Sequence, residues 1–312
     1  DTVWLPGDPA RFRAPDVPGV PRVSWIHGPL PSSWQGPVLA WGQTRATAAL
    51  GAGSGPDPEA AARVNRKSWI VPVRDSIEAS IRGSGVVRSL EDWERLQEAC
   101  RLAWGIGSGW VLKGDFSAAG RERLLGRWGA PSPTPPEAVS RLLRRHGACL
   151  LEPWLPRTGD YGCSLEVDRT GGRLAGVHRL LVSPQGRLEG IEVNPGKDRF
   201  DAWLAKEDAA RMEHAAAVVG STLAREGYRG PAGVDFWTYR DRSGVEQLNP
   251  LGEVNARLTF GLVAQRLARQ LGAGSTARLF LDGGPARSAG RRFELVSHEA
   301  GPFPPVTLTF TQ

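Results

Sequence analysis

Hydrophobic and polar positions along the chain repeat with two distinct periods. Residues 89–105 (SLEDWERLQEACRLAWG) place Trp93, Leu96, Cys100 and Ala103 three or four apart. They follow Ser89, whose hydroxyl suits the first unpaired N–H groups of a helix. That spacing predicts an amphipathic helix. The same period recurs over 205–227, the longest such run, and over 259–274 (TFGLVAQRLARQLGAG). Two further helices are entered through prolines, in 55–70 (GPDPEAAARVNRKSWI) and 133–147 (PTPPEAVSRLLRRHG). A short one over 43–53 ends at glycines.

Short apolar or alternating runs between these segments predict strands at 37–42 (PVLAWG), 109–114 (GWVLKG), 148–155 (ACLLEPWL) and 187–193 (RLEGIEV). Residues 161–168 and 173–183 predict an antiparallel pair across RTGG. Two strands, 230–241 and 244–257, flank the turn RDRSG, and the tail from 275 predicts strands broken by Pro and Gly. Residues 1 to about 35 are rich in Pro and Gly and show no period. The order predicts an α+β fold with mixed sheets, without repeats or a long linker.

Composition narrows this picture. Of the 312 residues, 40% are apolar and 23% charged, as in ordinary globular proteins. No run of about 18 apolar residues predicts a membrane span. The start lacks the basic-then-apolar order of a signal peptide and an initiator Met, so processing or trimming of the N-terminus is expected. Cys100, Cys149 and Cys163 form no CxxC and read as reduced thiols of a cytoplasmic protein. The net charge is +6, but the arginines form no dense block. A nucleotide or phosphorylated ligand therefore explains the charge better than nucleic acid does. Only four basic residues are lysines: Lys67, Lys113, Lys197 and Lys206. In so Arg-rich a chain, a retained Lys marks a place that needs a compact ammonium.

Several chemistries are absent from the sequence. GxxxxGK[ST], GxGxxG, HExxH, paired CxxC and GxSxG do not occur, and the five histidines are isolated. Other segments do carry candidate chemistry. In VLKGDFSAAGRE a strand delivers Lys113 to a loop of small residues, Ser117, Ala118, Ala119 and Gly120. Small side chains let backbone N–H groups approach an anion closely. An ordinary turn with a solvated Lys is the competing reading. In LLEPWLPRTGDYG an apolar strand runs into Glu152, and two prolines remove backbone donors around Trp154 and Leu155. Those two backbones are then available to a ligand edge, with Asp160 within reach of a sugar hydroxyl; a plain linker is the alternative. In GVDFWTY, Asp235 interrupts an apolar strand, where a carboxylate needs a cation or donors. In GVEQLNPLGEVNAR, Glu253, Asn255 and Arg257 alternate and share a face, whereas Glu246 and Asn249 face opposite ways. Asp235, Glu253 and Asn255 offer hard oxygens suited to Mg²⁺ or Mn²⁺, and Arg257 a cation for a phosphoryl or carboxylate group.

Taken in order, these elements resemble the ATP-grasp superfamily over roughly residues 60 to 270. The resemblance implies an ATP-grasp fold, two α+β subdomains holding ATP between antiparallel sheets. Carried over, it expects a reduced N-terminal domain at 1–62, a first subdomain at 63–150 and a second, with the metal and substrate site, at 151–312. It assigns Lys67 and Lys113 to the ATP phosphates and the adenine side, and the small-residue loop to a lid. Glu152, Trp154 and Leu155 become the adenine hinge, with Glu152 near the exocyclic amine, and Asp160 takes the ribose. Asp235, Glu253 and Asn255 hold magnesium, with Glu246 and Asn249 as the competing pair. Arg257 faces the transferred phosphate. The implied activity is ligation of a carboxylate to an amine through an acyl phosphate. The substrate pair belongs either to small peptide ligases or to ligases of C1-carrier coenzymes, and a homodimer is expected. A phosphotransferase, a non-catalytic nucleotide-binding regulator and a polyanion binder are the competing functions.

Overall fold

The structure is a computed structural model that describes residues 2–4, 24–26, 40–49, 55–117, 122–129, 136–184, 186–281, 291–296 and 306–310. Strands β1 (Thr2–Trp4) and β2 (Ser24–Ile26) form a parallel pair. Three short helices follow: α1 (Arg45–Ala48), α2 (Pro58–Val64) and α3 (Ile70–Ser76). Next come β3 (Gly85–Val87), α4 (Leu90–Trp104), β4 (Gly109–Gly114), β5 (Arg123–Arg127), α5 (Pro136–His146) and β6 (Cys149–Trp154). Their strands form an antiparallel sheet in the order β3-β6-β4-β5. Helices α4 and α5 close one face of it over Trp93, Leu96, Trp110, Leu112 and Leu151. Ser89 caps α4 as its sequence predicts, accepting from the Asp92 N–H at 3.0 Å.

The rest of the chain builds a larger sheet. It comprises β7 (Arg157–Val167), β8 (Gly172–Val182), β9 (Leu188–Val193), β10 (Gly230–Arg240), β11 (Glu246–Asn255), β12 (Ala277–Phe280), β13 (Arg291–Val296) and β14 (Val306–Phe310). These eight strands run antiparallel in the order β11-β10-β7-β8-β9-β12-β14-β13. Helices α6 (Lys206–Arg225) and α7 (Phe260–Gln270) pack against it. Along β10, Ala232, Val234 and Phe236 point into the core with Met212, Val219 and Leu223 of α6. Strand pleating therefore turns Asp235 and Trp237 to the other face. Ala61, Val64, Ile70 and Val73 of α2 and α3 join this same core, on both sides of the expected boundary at 62 and 63.

Three sequence expectations change. The single helix expected over 55–70 is broken after Val64, where Asn65 is the C-cap, and Lys67–Trp69 form a 3₁₀ turn. Strands β3 and β5 were not anticipated. Of the strand expected at 37–42, residues 37–39 lie outside the described residues and Ala40–Gly42 are irregular. The three cysteines are buried free thiols. Among the described residues no helix is long and apolar enough to cross a membrane.

Helix α6 approaches β8 at a glycine pair. A Cβ on Gly220 would lie 2.6 Å from the Gly172 Cα, and one on Gly172 would lie 2.7 Å from the Gly220 Cα. Backbone atoms cannot swing aside as side chains do. Gly220→Ala, although it gains roughly 1 kcal/mol of helix propensity, is expected to destabilise the protein by about 2 kcal/mol net through overpacking. Urea denaturation checks this, and a raised midpoint would contradict the packing.

Candidate active site

The polar face of β11 meets β10 at one register position. Asp235 lies directly opposite Glu253, and Gly233 opposite Asn255. The pairing then jumps, because Trp237 lies opposite Asn249. Pro250, Leu251 and Gly252 thus face Phe236 alone, a bulge in β11. Glu246 sits far along the hairpin opposite Arg240, exposed, and accepts a hydrogen bond from the Thr158 hydroxyl. Asn249 is buried, its Oδ1 accepting from the Leu251 N–H at 3.4 Å. The carboxylate that the strands bring to Asp235 is therefore that of Glu253.

Cations surround this pair. Lys67 Nζ lies 2.8 Å from Glu253 Oε1. Asn255 Nδ2 donates to Asp235 Oδ2 at 3.1 Å, and Arg257 Nη2 donates to Asn255 Oδ1 at 2.8 Å. Burial, reinforced by the Glu253 charge, pushes Asp235 up to about 7, against Arg257, Lys67 and the Asn255 amide. Burial opposes the Glu253 charge too, but Lys67, Lys113 and Arg257 outweigh it and hold that carboxyl below its ordinary value. Two carboxylates face each other, and Asp235 lacks enough positive charge to stay fully ionised at neutral pH. Such hard-oxygen donors fit Mg²⁺ or Mn²⁺. Among the described residues no group of three or more His, Cys, Asp and Glu side chains assembles to hold a metal. The third protein donor would be the Asn255 amide oxygen, turned here toward Arg257.

Lys67 is fixed from behind by a residue that sequence reasoning passed over. Asp115, fully buried, accepts the Lys67 N–H on its backbone oxygen at 2.9 Å and the Ser68 N–H on Oδ1 at 2.7 Å. Ser117 is buried, with its N–H on the Gly114 carbonyl at 2.9 Å. Ala118, Ala119 and Gly120 lie outside the described residues. Asn65 is a second omission. Its Oδ1 accepts from the Ala256 N–H at 2.9 Å, and its Nδ2 donates to the Ala256 carbonyl at 3.2 Å. The Asn65 amide thus acts as a strand partner for the residue between Asn255 and Arg257.

The link between the two sheets is Leu155–Pro156, from the end of β6 to the start of β7. Glu152 departs from the role read in the sequence. It is almost wholly buried, and both oxygens face cations: Oε2 lies 2.5 Å from Lys113 Nζ, and Oε1 lies 2.6 Å from Arg74 Nη2. Burial works against its charge, but Lys113 and Arg74 win and bring it down to about 2. Its side chain is thus committed to two cations rather than free for a base amine. Trp154 carries the Arg123 guanidinium over its ring at 5.5 Å. Leu155 is buried against Ile81 and Trp237. Asp160 is paired with Arg157 at 2.5 Å and lies opposite Trp237 in the sheet.

Trp237 was read only as one apolar residue of a strand. Its ring has the Arg157 guanidinium 4.0 Å from its centroid and Lys113 Nζ at 5.9 Å. Gly252 leaves the room for it, since a Cβ there would sit 1.8 Å from the ring. The one available signal was its spacing, two residues after Asp235 on the same face. Beside Asn255 and Arg257 opens a cavity of about 530 Å³. Its other walls come from Gly42–Arg45, α2 and Phe116–Ser117.

No family model and no curated protein sequence matches the chain. Solved structures do. The biotin carboxylase domain of 2-oxoglutarate carboxylase from Hydrogenobacter thermophilus, a dimer holding MgADP, ADP and bicarbonate, has 13% identity. It aligns over 82% of this chain and 64% of its own, at a TM-score of 0.55. Biotin carboxylase from Campylobacter jejuni, a beta-gamma-ATP complex, aligns over 82% and 65% at 12% identity and a TM-score of 0.56. Carboxyaminoimidazole ribonucleotide synthase from Aspergillus clavatus, complexed with ATP, aligns over 82% and 71% at 12% identity and a TM-score of 0.53. The chain spans slightly less than two thirds of the two carboxylase structures. At these identities the likeness is one of fold.

Proposed function

From the ATP-grasp fold that this chain adopts, we propose an ATP-dependent ligase that joins a carboxylate to an amine. One observation carries the reading. A half-buried Asp235–Glu253 pair, flanked by Lys67 and Arg257, brings Glu253 to the wall of a cavity large enough for a small metabolite. In this reading ATP lies between the sheets. The backbones of Trp154 and Leu155 meet the base, and Asp160 meets the ribose. Lys113, with Glu152 holding it in place, and the segment Ser117, Ala118, Ala119, Gly120 serve the phosphates together with Lys67. Asp235, Glu253 and Asn255 hold the metal. Bound there, Mg²⁺ would supply neutralising charge to the phosphate oxygens. The expected 1–62, 63–150 and 151–312 division, the homodimer and the cytoplasmic setting are part of the same proposal.

The chemical problem is to bring a substrate carboxylate against a polyanion. Arg257, at the cavity wall, neutralises the incoming carboxylate and the phosphoryl group that moves to it. The carboxylate oxygen attacks the γ-phosphorus and ADP leaves, giving an acyl phosphate. The amine then attacks the acyl carbon, loses a proton and expels inorganic phosphate. The segment after Asp115 and the walls from α2 would shield that reactive intermediate from water.

ADP release, measured with Mg²⁺ across carboxylates with and without amines, tests this reading. Bicarbonate belongs in the panel because the Hydrogenobacter neighbour holds it. The expected result is ADP and phosphate in equal amounts with an amide product. A stable phosphoester would indicate a phosphotransferase. Binding of ATP that survives Glu253→Ala, with no ADP release from any pair, would indicate a non-catalytic binder.

A further inference from the structure

Arg74 of α3 is among the largest fully buried side chains of the described residues, 1% exposed, and its contacts reach both β11 and β6. Nε donates to the Leu251 carbonyl at 2.6 Å, and Nη2 to the Gly252 carbonyl at 3.1 Å. Nη2 also lies 2.6 Å from Glu152 Oε1, a close ion pair rather than an aligned hydrogen bond. Nη1 has no hydrogen-bond partner among the described residues.

The two carbonyls belong to the β11 bulge, where the ladder to β10 skips. Successive carbonyls of a regular strand point opposite ways, so one side chain could not meet both. The bulge turns both toward Arg74, and the next residue is Glu253. Through the same Nη2 that meets the Gly252 carbonyl, Arg74 also holds Glu152, whose second oxygen holds Lys113. One planar fork thus joins the strand that carries Glu253 to the carboxylate that holds Lys113. A Lys ammonium has no such fork. Burying a guanidinium is costly, and apolar replacements of buried ion pairs are often neutral or stabilising. Packing alone therefore does not account for an arginine here.

We propose that Arg74 is a positioning residue that sets Glu253 against Asp235 and Glu152 against Lys113 together, linking the carboxylate of β6 that holds Lys113 to the strand that carries the metal-site carboxylate. This rests on the nucleotide-binding part of the ligase reading. Arg74 touches neither substrate nor metal; it acts through the two carboxylates.

Two measurements on wild type, Arg74→Met and Arg74→Lys test it: calorimetric titration with MgADP, and hydrogen exchange with and without that ligand. The wild type should bind MgADP, and binding should protect residues 149–156 and 246–255 together. Arg74→Met, with a melting temperature near that of wild type, should lose roughly 10- to 100-fold in MgADP affinity, and its two segments should no longer be protected in concert. Arg74→Lys should recover part of both effects. Wild-type affinity in folded Arg74→Met, or concerted protection that survives in it, overturns the proposal. If Arg74→Met does not fold, Arg74→Lys decides, and full affinity there overturns it. If wild type does not bind MgADP, the nucleotide reading fails, and ligand-free exchange judges Arg74. Faster exchange in both segments of a variant supports the link, and faster exchange in one alone overturns it.

Discussion

Glu253→Gln is expected to lower the rate of ADP release by about three orders of magnitude while leaving the protein folded. The side chain stands opposite Asp235 with Lys67 Nζ 2.8 Å away, and it is one third exposed to the cleft. Glutamine has the same shape and still accepts a hydrogen bond from Lys67, so packing is kept. The negative charge is lost, and with it half of the charged donor set for a divalent cation. Lys67 then loses its ion-pair partner beside the phosphates it would meet. Glu246→Gln provides the comparison, because Glu246 is exposed, opposite Arg240 at the other end of the hairpin. That variant should turn over like wild type. Initial rates of ADP release and thermal melting of both variants decide the matter. Full turnover in Glu253→Gln would remove this carboxylate from the proposed metal site, and loss confined to Glu246→Gln would transfer the role.

The alternation of Glu253, Asn255 and Arg257 made their shared face readable, because side chains on a strand alternate whatever the partner strand. Their meeting with Asp235 was not readable, since it depends on how many residues the hairpin spends in its bulge. Pro250 and Gly252 hint at a bulge but do not fix its size. The scarcity of lysine singled out Lys67 and Lys113, yet their partners lie 186 and 39 positions away. No local pattern encodes such contacts. Arg74 was invisible for the opposite reason, as one arginine in an arginine-rich chain, distinguished only by burial. The Asn65 break was hidden because the helical period continues through it. At that point the Asn65 side chain bonds both back to the Ala61 carbonyl of α2 and across to Ala256, just past the end of β11. Strand β3 was missed because three residues, Gly85–Val87, are too few to show a period.

Asp235→Asn should make the ligand-free protein more heat-stable at pH 8 and abolish its turnover. The native Asp235 carboxyl titrates at about 7, against 3.8 as its ordinary value. Between those two values the folded chain binds a proton that the unfolded chain has released. The contribution of this residue is therefore full below pH 3.8 and is lost as pH rises through 7. A difference of that size corresponds to at most roughly 4 kcal/mol. Asparagine carries no charge at either pH. Its oxygen can keep the bond from Asn255 Nδ2, and its amide can donate across to Glu253. The variant should then melt about 5 °C above wild type at pH 8, with a smaller difference at pH 5, in the presence of a chelator. Adding Mg²⁺ at pH 8 should raise the melting temperature of wild type, because the cation takes up the charge that burial leaves uncompensated, and should leave Asp235→Asn nearly unmoved. An Asp235→Asn protein that melts below wild type at pH 8, or that gains as much from Mg²⁺, would mean the two opposed carboxylates are not the strained, cation-seeking pair from which the proposed chemistry starts.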